Sequence, residues 1–325
     1  MKEPMPQILI VAGCDADAPE QGFYDALACA DRIAEILPAS LRALLLGEGA
    51  EAVALEIAAS DGIDVTVISG AGLAPYTGEI YRQVLLAEIQ NRHPAYLLTP
   101  HTARGAEWAP ALATELGCGC ISGVDGVRGG ENGICFQKDL YGGKVKGLFA
   151  PVAGTTFLTI QPGAFPYRRP AAAGQGCLET NIVSVRQRKE AHLGSLSAPG
   201  GASDLNAAAI IVAVGNGIGS QENLAMIYDL VARLPRSAVA GSRILCDRGW
   251  LSYPQQVGVS GATVAPALYL ACGISGATQH RAGMRGSKFV VAINTDPGAP
   301  ICNEADICII EDLTTFIPLL LDLLA

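Results

Sequence analysis

Residues 208–234 read AAIIVAVGNGIGSQENLAMIYDLVARL. An apolar run at 208–215 ends in a cluster of glycines and passes into an amphipathic stretch at 220–234. A short continuous apolar run is the mark of a strand buried on both faces, and the apolar spacing after it is helical. The segment is therefore a strand, a turn and a helix, the opening unit of a parallel α/β sheet. The turn, Gly215-Asn216-Gly217-Ile218-Gly219, lets bare backbone approach a phosphate at a helix N-terminus. It departs from G-x-G-x-x-G because Ser220 holds the third glycine position. Glycines in such turns also serve backbone geometry alone, and both readings stay open here.

Working outward, the alternation continues. SAVAGSR and ALYLACG (267–273) read as strands, 275–284 as a short helix, KFVVAIN (288–294) and ICII (307–310) as strands, and a last helix starts at Asp312. Toward the N-terminus, LGSLSAPGGASDLN (193–206) is small, polar and broken by Gly and Pro, as a linker is. Before it stands a second alternating set. Strands are expected at 7–12, 41–47, 64–70 and 95–100, and helices at 20–36, 50–59, 77–92 (with Thr77 as N-cap) and 105–117. Residues 118–187 change character, with turn signals at 129–133 and 141–143, and read as an antiparallel excursion closing on a strand at 181–185. The expected fold is α/β in two domains. Residues 1–195 form a doubly wound parallel sheet with an antiparallel excursion, and residues 206–325 form a Rossmann-like domain.

Composition narrows the function. Half of the 325 residues are hydrophobic and 16% are charged, a globular balance, and the formal net charge is −9. An acidic chain is a poor partner for nucleic acid. No apolar run approaches the roughly 20 residues that span a bilayer, so no membrane insertion is expected. The N-terminal apolar run reads as a first strand rather than a signal segment, which points to the cytoplasm. The ten cysteines contain no Cys-x-x-Cys pair and are expected to be reduced, buried thiols rather than metal ligands.

Three features of the second domain can carry chemistry. Ser242-Arg243 ends a strand, which aims a cation at the crevice where α/β sheets bind ligands. Gly273-Ile274-Ser275-Gly276-Ala277-Thr278-Gln279-His280 is another strand–turn–helix element. In it Ser275 can cap the helix, and His280 shares a face with the ligand end. The glycine turn around Asn216 is the third.

These residues stand in a longer ordered series. Ser242-Arg243, Asp247-x-Gly249, Gln256-Val257-Gly258, Ser260-Gly261, Val264-Ala265-Pro266 and Leu268-Tyr269 come first. Gly273 to Ala277, Gln279-His280, Ala282-Gly283-Met284, Ser287-Lys288 and Ala292-Ile293-Asn294-x-Asp296-Pro297-x-Ala299-Pro300 follow, with weaker agreement at Ala305-Asp306 and Asp312-Leu313. The series resembles the C-terminal FAD domain of electron transfer flavoprotein α subunits. The first half resembles the family more loosely, through Glu107-x-Ala109-Pro110-x-Leu112-Ala113, Tyr141-Gly142-Gly143 and Thr159-Ile160-x-Pro162-Gly163-Ala164-Phe165.

The resemblance implies FAD as cofactor and a β subunit as partner. It implies electron exchange with flavin dehydrogenases, the acyl-CoA type among them, without substrate conversion by this chain alone. Residues 1–195 become a subunit-interface module with a nucleotide-hydrolase-like fold that lacks its site. Arg243 is implied beside the flavin ring, Ser260 near N5 and His280 near the pyrimidine carbonyl. The segments Gln256–Ser260 and Gly273–Gln279 are implied around the cofactor, with Asn294, Asp312 and Leu313 toward its adenosine end. Two positions depart from the family pattern. Asn216 stands where an arginine is usual, and Val259 where a glutamine is usual. Two other classes remain open, a nicotinamide-dependent oxidoreductase subunit and a scaffold subunit that has lost its flavin.

Overall fold

The computed structural model describes residues 5–14, 18–70, 72–130, 133–141, 145–151, 154–170, 176–184, 205 and 208–324. Apart from Leu205, the expected linker at 193–206 lies outside the described residues. The chain divides into two compact units, Met1–Gly194 and Ser195–Ala325. It is an α/β protein with one sheet in each unit.

In the first unit the elements run β1 (Gln7–Gly13), α1 (Phe23–Ile36), β2 (Ser40–Leu46), α2 (Glu51–Asp61), β3 (Asp64–Ser69), α3 (Gly78–Arg92), β4 (Tyr96–Pro100) and α4 (Ala103–Glu115). Then come β5 (Gly119–Gly130), β6 (Gly133–Leu140), β7 (Val145–Phe149), β8 (Thr156–Ile160) and β9 (Leu178–Ile182). The nine strands lie in the order β7-β6-β5-β8-β4-β1-β2-β3-β9. All are parallel except the β5–β6–β7 meander, which is the antiparallel excursion. Central strands are apolar on both faces because helices cover both: Ile8, Leu9, Ile10 and Val11 of β1 are fully buried. α1 buries Phe23, Leu27, Ala30 and Ile33, one stripe at three- and four-residue spacing. The strand expected at 181–185 forms three residues earlier and pairs parallel with β3. Arg42 on β2 reaches over that pairing to bridge Asp64 and Glu179 at 2.7 Å each.

The second unit runs β10 (Ile210–Val214), α5 (Leu224–Arg233), β11 (Ser237–Gly241), α6 (Arg243–Asp247), β12 (Leu268–Cys272), α7 (Thr278–Met284), β13 (Val290–Asn294), β14 (Ile307–Ile310) and α8 (Leu313–Leu323). Its five strands are all parallel, in the order β11-β10-β12-β13-β14. The chain steps from β10 outward to β11, then returns to place β12 on the other side of β10. The order reverses there, and a crevice opens between the diverging loops at the strands' carboxyl ends.

Three local expectations are corrected. β11 stops at Gly241, and Ser242 is the N-cap position of α6, so Arg243 opens a helix rather than ending a strand. The helix expected from 220 starts at Leu224, after a single 3₁₀ turn at Asn216–Ile218. The cysteines are not uniformly buried and reduced, since Cys177 is exposed and Cys302 and Cys308 are joined as a disulfide. Among the described residues no helix is long and apolar enough to cross a membrane.

Candidate functional site

A cleft of about 710 Å³ lies at the carboxyl ends of β10 to β13, within the usual range for a small-molecule site. Its floor is two glycine turns packed backbone on backbone. Gly217 N–H donates to the Gly273 carbonyl at 2.9 Å. A side chain on Gly215 would put a Cβ 2.4 Å from that oxygen, and one on Gly217 would meet the Gly273 Cα at 2.7 Å. Close approach of the two turns therefore demands these glycines, whatever else the turn holds. Asn216, between them, is exposed and lines the cleft.

The wall from β12 carries Gly273, Ile274, Ser275, Ala277, Gln279 and His280. Gly273 has a left-handed backbone, φ 62°, which favours glycine. The expected Ser275 cap does not form. The α7 N-cap is Ala277, and the Ser275 carbonyl instead accepts the Ile301 N–H at 3.2 Å. Gly276, with φ 81°, lets Ile301 pass, since a Cβ there would lie 2.2 Å from Ile301 N. Gly276 therefore braces the turn, and neither it nor Thr278 lines the cleft.

The opposite wall is the loop after α6. Gln256, Val257, Gly258, Val259 and Ser260 all line the cleft. Val259 N–H donates to the Gln279 carbonyl at 2.9 Å and ties this loop to α7. Gln256 is 2% exposed, and its Nε2 donates to Ser260 Oγ at 2.8 Å. Ser242 and Arg243 complete the wall. The Arg243 side chain is 70% exposed and only loosely paired with Asp247, at 3.4 Å. Asn294 also lines the cleft, with both polar groups braced on backbone: Nδ2 donates to the Ile274 carbonyl, and Oδ1 accepts from Asp296 N.

Asp312 and Leu313 lie outside the cleft lining. The Asp312 carboxylate caps α8 by accepting the Thr314 N–H at 2.7 Å. The Thr314 hydroxyl and amide hold that carboxyl below the usual range. Leu313 is buried in the core behind the Gly273 turn. The cleft also includes Ile244, Asp296, Ala299 and Pro300, which the sequence reading left out of its site. Three of the four stand in the quoted series Asn294 to Pro300, where Asp-Pro-Gly signals a turn at a strand end. Ile244 had no such signal.

One buried polar atom of these walls, Ser242 Oγ, has no hydrogen-bond partner among the described residues. His280 is 6% exposed, and its Nε2 lies 2.9 Å from the Tyr269 hydroxyl. Burial pushes its imidazole down to about 4, while its hydrogen bond to the Val257 backbone pulls the other way. The ring is therefore neutral at pH 7. Arg243 is the one cation and Asp296 the one carboxylate among the lining residues. No serine of the lining is hydrogen-bonded to a histidine among the described residues. No metal-binding cluster occurs among the described residues. The site is thus a mostly apolar cleft with polar donors, one exposed cation and bare turns, the make-up of a small-molecule site.

Comparison with known proteins converges on the same chemistry. The electron transfer flavoprotein FAD-binding domain model matches residues 204–285, and the electron transfer flavoprotein domain model matches residues 21–186. The chain is 34% identical over 277 residues to the electron transfer flavoprotein subunit alpha of Bacillus subtilis, covering 85% of each chain. It is 35% identical over 282 residues to the subunit alpha of Syntrophomonas wolfei, covering 86% of this chain and 87% of the relative. It is 34% identical over 278 residues to a probable mitochondrial subunit alpha of Caenorhabditis elegans, covering 85% and 82%. Domain models over both units and relatives matched along most of their length place this chain in the electron transfer flavoprotein α-subunit family, as an FAD-binding electron carrier.

Proposed function

We propose that the chain holds FAD in the cleft of residues 206–325, pairs through residues 1–195 with an electron transfer flavoprotein β subunit, and carries electrons between flavin dehydrogenases, those acting on acyl-CoA among them, and a second redox protein. The observation that carries this reading is the convergence of exposed Arg243, the Ser260 hydroxyl and the bare glycine turns at 215–217 and 273–277 on one cleft. Bound FAD supplies the electron-carrying ring that no side chain can.

The protein's own groups bind and bias that ring. Arg243 brings a positive charge that favours the reduced, more negative form. Gln256 donates to Ser260 Oγ, which leaves the Ser260 proton free for a ligand acceptor. Ser242 adds another hydroxyl. The bare amides of the 215–217 and 273–277 turns suit the polar middle of the cofactor. Asn294 braces the second turn, and Asp312 caps α8.

Co-expression with the β subunit tests the reading. The purified pair should be yellow and retain FAD, and a reduced acyl-CoA dehydrogenase should reduce that flavin. A colourless pair would instead favour a scaffold. Direct reduction of a small substrate with a nicotinamide cofactor would favour the oxidoreductase alternative.

A further inference from the structure

The loop between β13 and β14 reaches the cleft and the edge of the sheet at once. Asp296, Ala299 and Pro300 line the cleft. One residue on, Ile301 is fully buried, and its N–H donates to the Ser275 carbonyl of the 273–277 turn at 3.2 Å. Cys302 belongs to the same short 3₁₀ turn, and its N–H donates to the Ala299 carbonyl at 2.9 Å. Its sulfur is bonded to Cys308 of β14, the last strand of the sheet, with the two Cα atoms 5.3 Å apart. That spacing is ordinary for a disulfide. The bond therefore fastens to the sheet a turn that lines the cleft and also braces its 273–277 wall. Both cysteines are partly exposed, so an attacking thiolate can reach the sulfurs. The other eight cysteines are free, exposed Cys177 included. Structural disulfides belong to oxidising surroundings; where thiols persist, a bridge is as a rule transient or redox-sensing.

We propose that Cys302 and Cys308 form a thiol-exchange site that sets how tightly the cleft holds its ligand: bonded, they fix the 299–302 turn against the cleft, and as two thiols they let it loosen. The ligand is FAD on the reading above, and the consequence rests on that reading, though the exchange itself does not. The reductant is an external dithiol. Its thiolate attacks one sulfur of the pair, the S–S bond breaks, and the other cysteine leaves as a thiolate and takes a proton. The second thiolate of the dithiol then attacks the reagent's own sulfur in the mixed disulfide, and the first cysteine leaves and is protonated in turn. Two electrons and two protons pass to the protein, and the dithiol ends as its own disulfide. The buried Ile301 side chain and the ion pair of Arg281 with Glu304 remain after reduction, so the turn loosens without unfolding.

The test uses the full-length chain purified with its β subunit, oxidised with glutathione disulfide or reduced with dithiothreitol. Each sample is alkylated with N-ethylmaleimide and mapped by mass spectrometry, and FAD release is timed by flavin fluorescence. Cys302 and Cys308 are expected to be joined to each other in the oxidised sample and alkylated together in the reduced one. FAD should leave about tenfold faster after reduction, the order expected when a covalently pre-formed binding turn is freed. The double variant Cys302→Ser/Cys308→Ser should release FAD at the faster rate in both buffers, which separates this pair from the eight other cysteines. Free thiols or separate glutathione adducts at both positions after oxidation overturn the proposal. Equal FAD release from oxidised and reduced wild type overturns it too, as does a dithiothreitol response kept by the double variant. If no FAD binds in either buffer, the functional reading fails and takes the cleft effect with it, while the mapping still decides the bond.

Discussion

At the carboxyl end of β1, the Gly13 N–H donates to Glu20 at 3.2 Å, and the other oxygen of that carboxylate takes the Thr102 hydroxyl at 2.7 Å. Thr102 is the N-cap of α4, and its oxygen accepts the Gly105 N–H. At the carboxyl end of β10, the corresponding turn packs on a second glycine turn and opens on a cleft lined by Arg243, Ser260 and His280. Both sheets reverse their strand order at this point, between β1 and β4 in one unit and between β10 and β12 in the other. Topology thus supplies the same crevice twice. The first unit fills it with its own carboxylate, where a helix N-terminus favours negative charge. The second leaves its donors for a ligand. Fold gives the location of a site, and the side chains decide whether there is one.

The largest expected effect concerns His280. Unfolded, it takes a proton near pH 6.5; folded, it waits until about 4. The stability this contributes is whole above pH 6.5 and is lost as pH falls toward 4, a difference of about 3 kcal/mol. Urea unfolding of wild type and His280→Gln at pH 7 and pH 4.5 should show the variant losing less stability on acidification, and equal losses would remove the buried neutral imidazole from the account. Arg243→Ala comes next. Its side chain is mostly exposed, so the fold should survive. The preference for reduced over oxidised FAD should fall by about 2 kcal/mol, roughly thirtyfold, as for loss of a charged contact. A redox titration overlaying wild type would place Arg243 away from the flavin.

Glu20→Ala probes the other side of the comparison. It should cost about 1.5 kcal/mol of stability by stripping the Gly13 amide and the Thr102 hydroxyl of their acceptor, leaving FAD stoichiometry and affinity unchanged. Weakened FAD binding in that variant would end the division of labour between the two crevices. The smallest effect is expected from Asn216→Arg. A cation on the exposed tip of the 215–217 turn should tighten FAD binding about tenfold, a charge-assisted bond less its ordering cost. Equal or weaker binding would mean that the pocket is adapted to asparagine.

What could be read from the chain follows what is local. Buried parallel strands write themselves as apolar runs, so β1, β4, β10, β12 and β13 stand close to where the runs placed them. Residues near strand ends, such as Arg243, Ser260 and His280, fall in the cleft lining because ligand crevices form at those ends. Helix starts were less legible. Ser242 and Ala277 take N-cap positions without a side-chain cap, and Ser275 gives its carbonyl to Ile301 rather than capping α7. Why Gly215 and Gly217 must be glycine was not legible either, since the reason is a turn nearly 60 residues away. Glu20 read only as the start of a helix. Its reach to Gly13 and Thr102 depends on three segments meeting. The Cys302–Cys308 pairing likewise needs the loop after β13 folded back on β14.

Amide hydrogen exchange of the full-length protein with and without FAD addresses the central claim most directly, because it locates the cofactor on the chain. The account predicts protection confined to 215–219, 242–246, 256–260, 273–280 and 294–300, with no change around Gly13, Glu20 and Thr102. Protection at those first-unit residues, with the 215–219 and 273–280 turns unaffected, would contradict it.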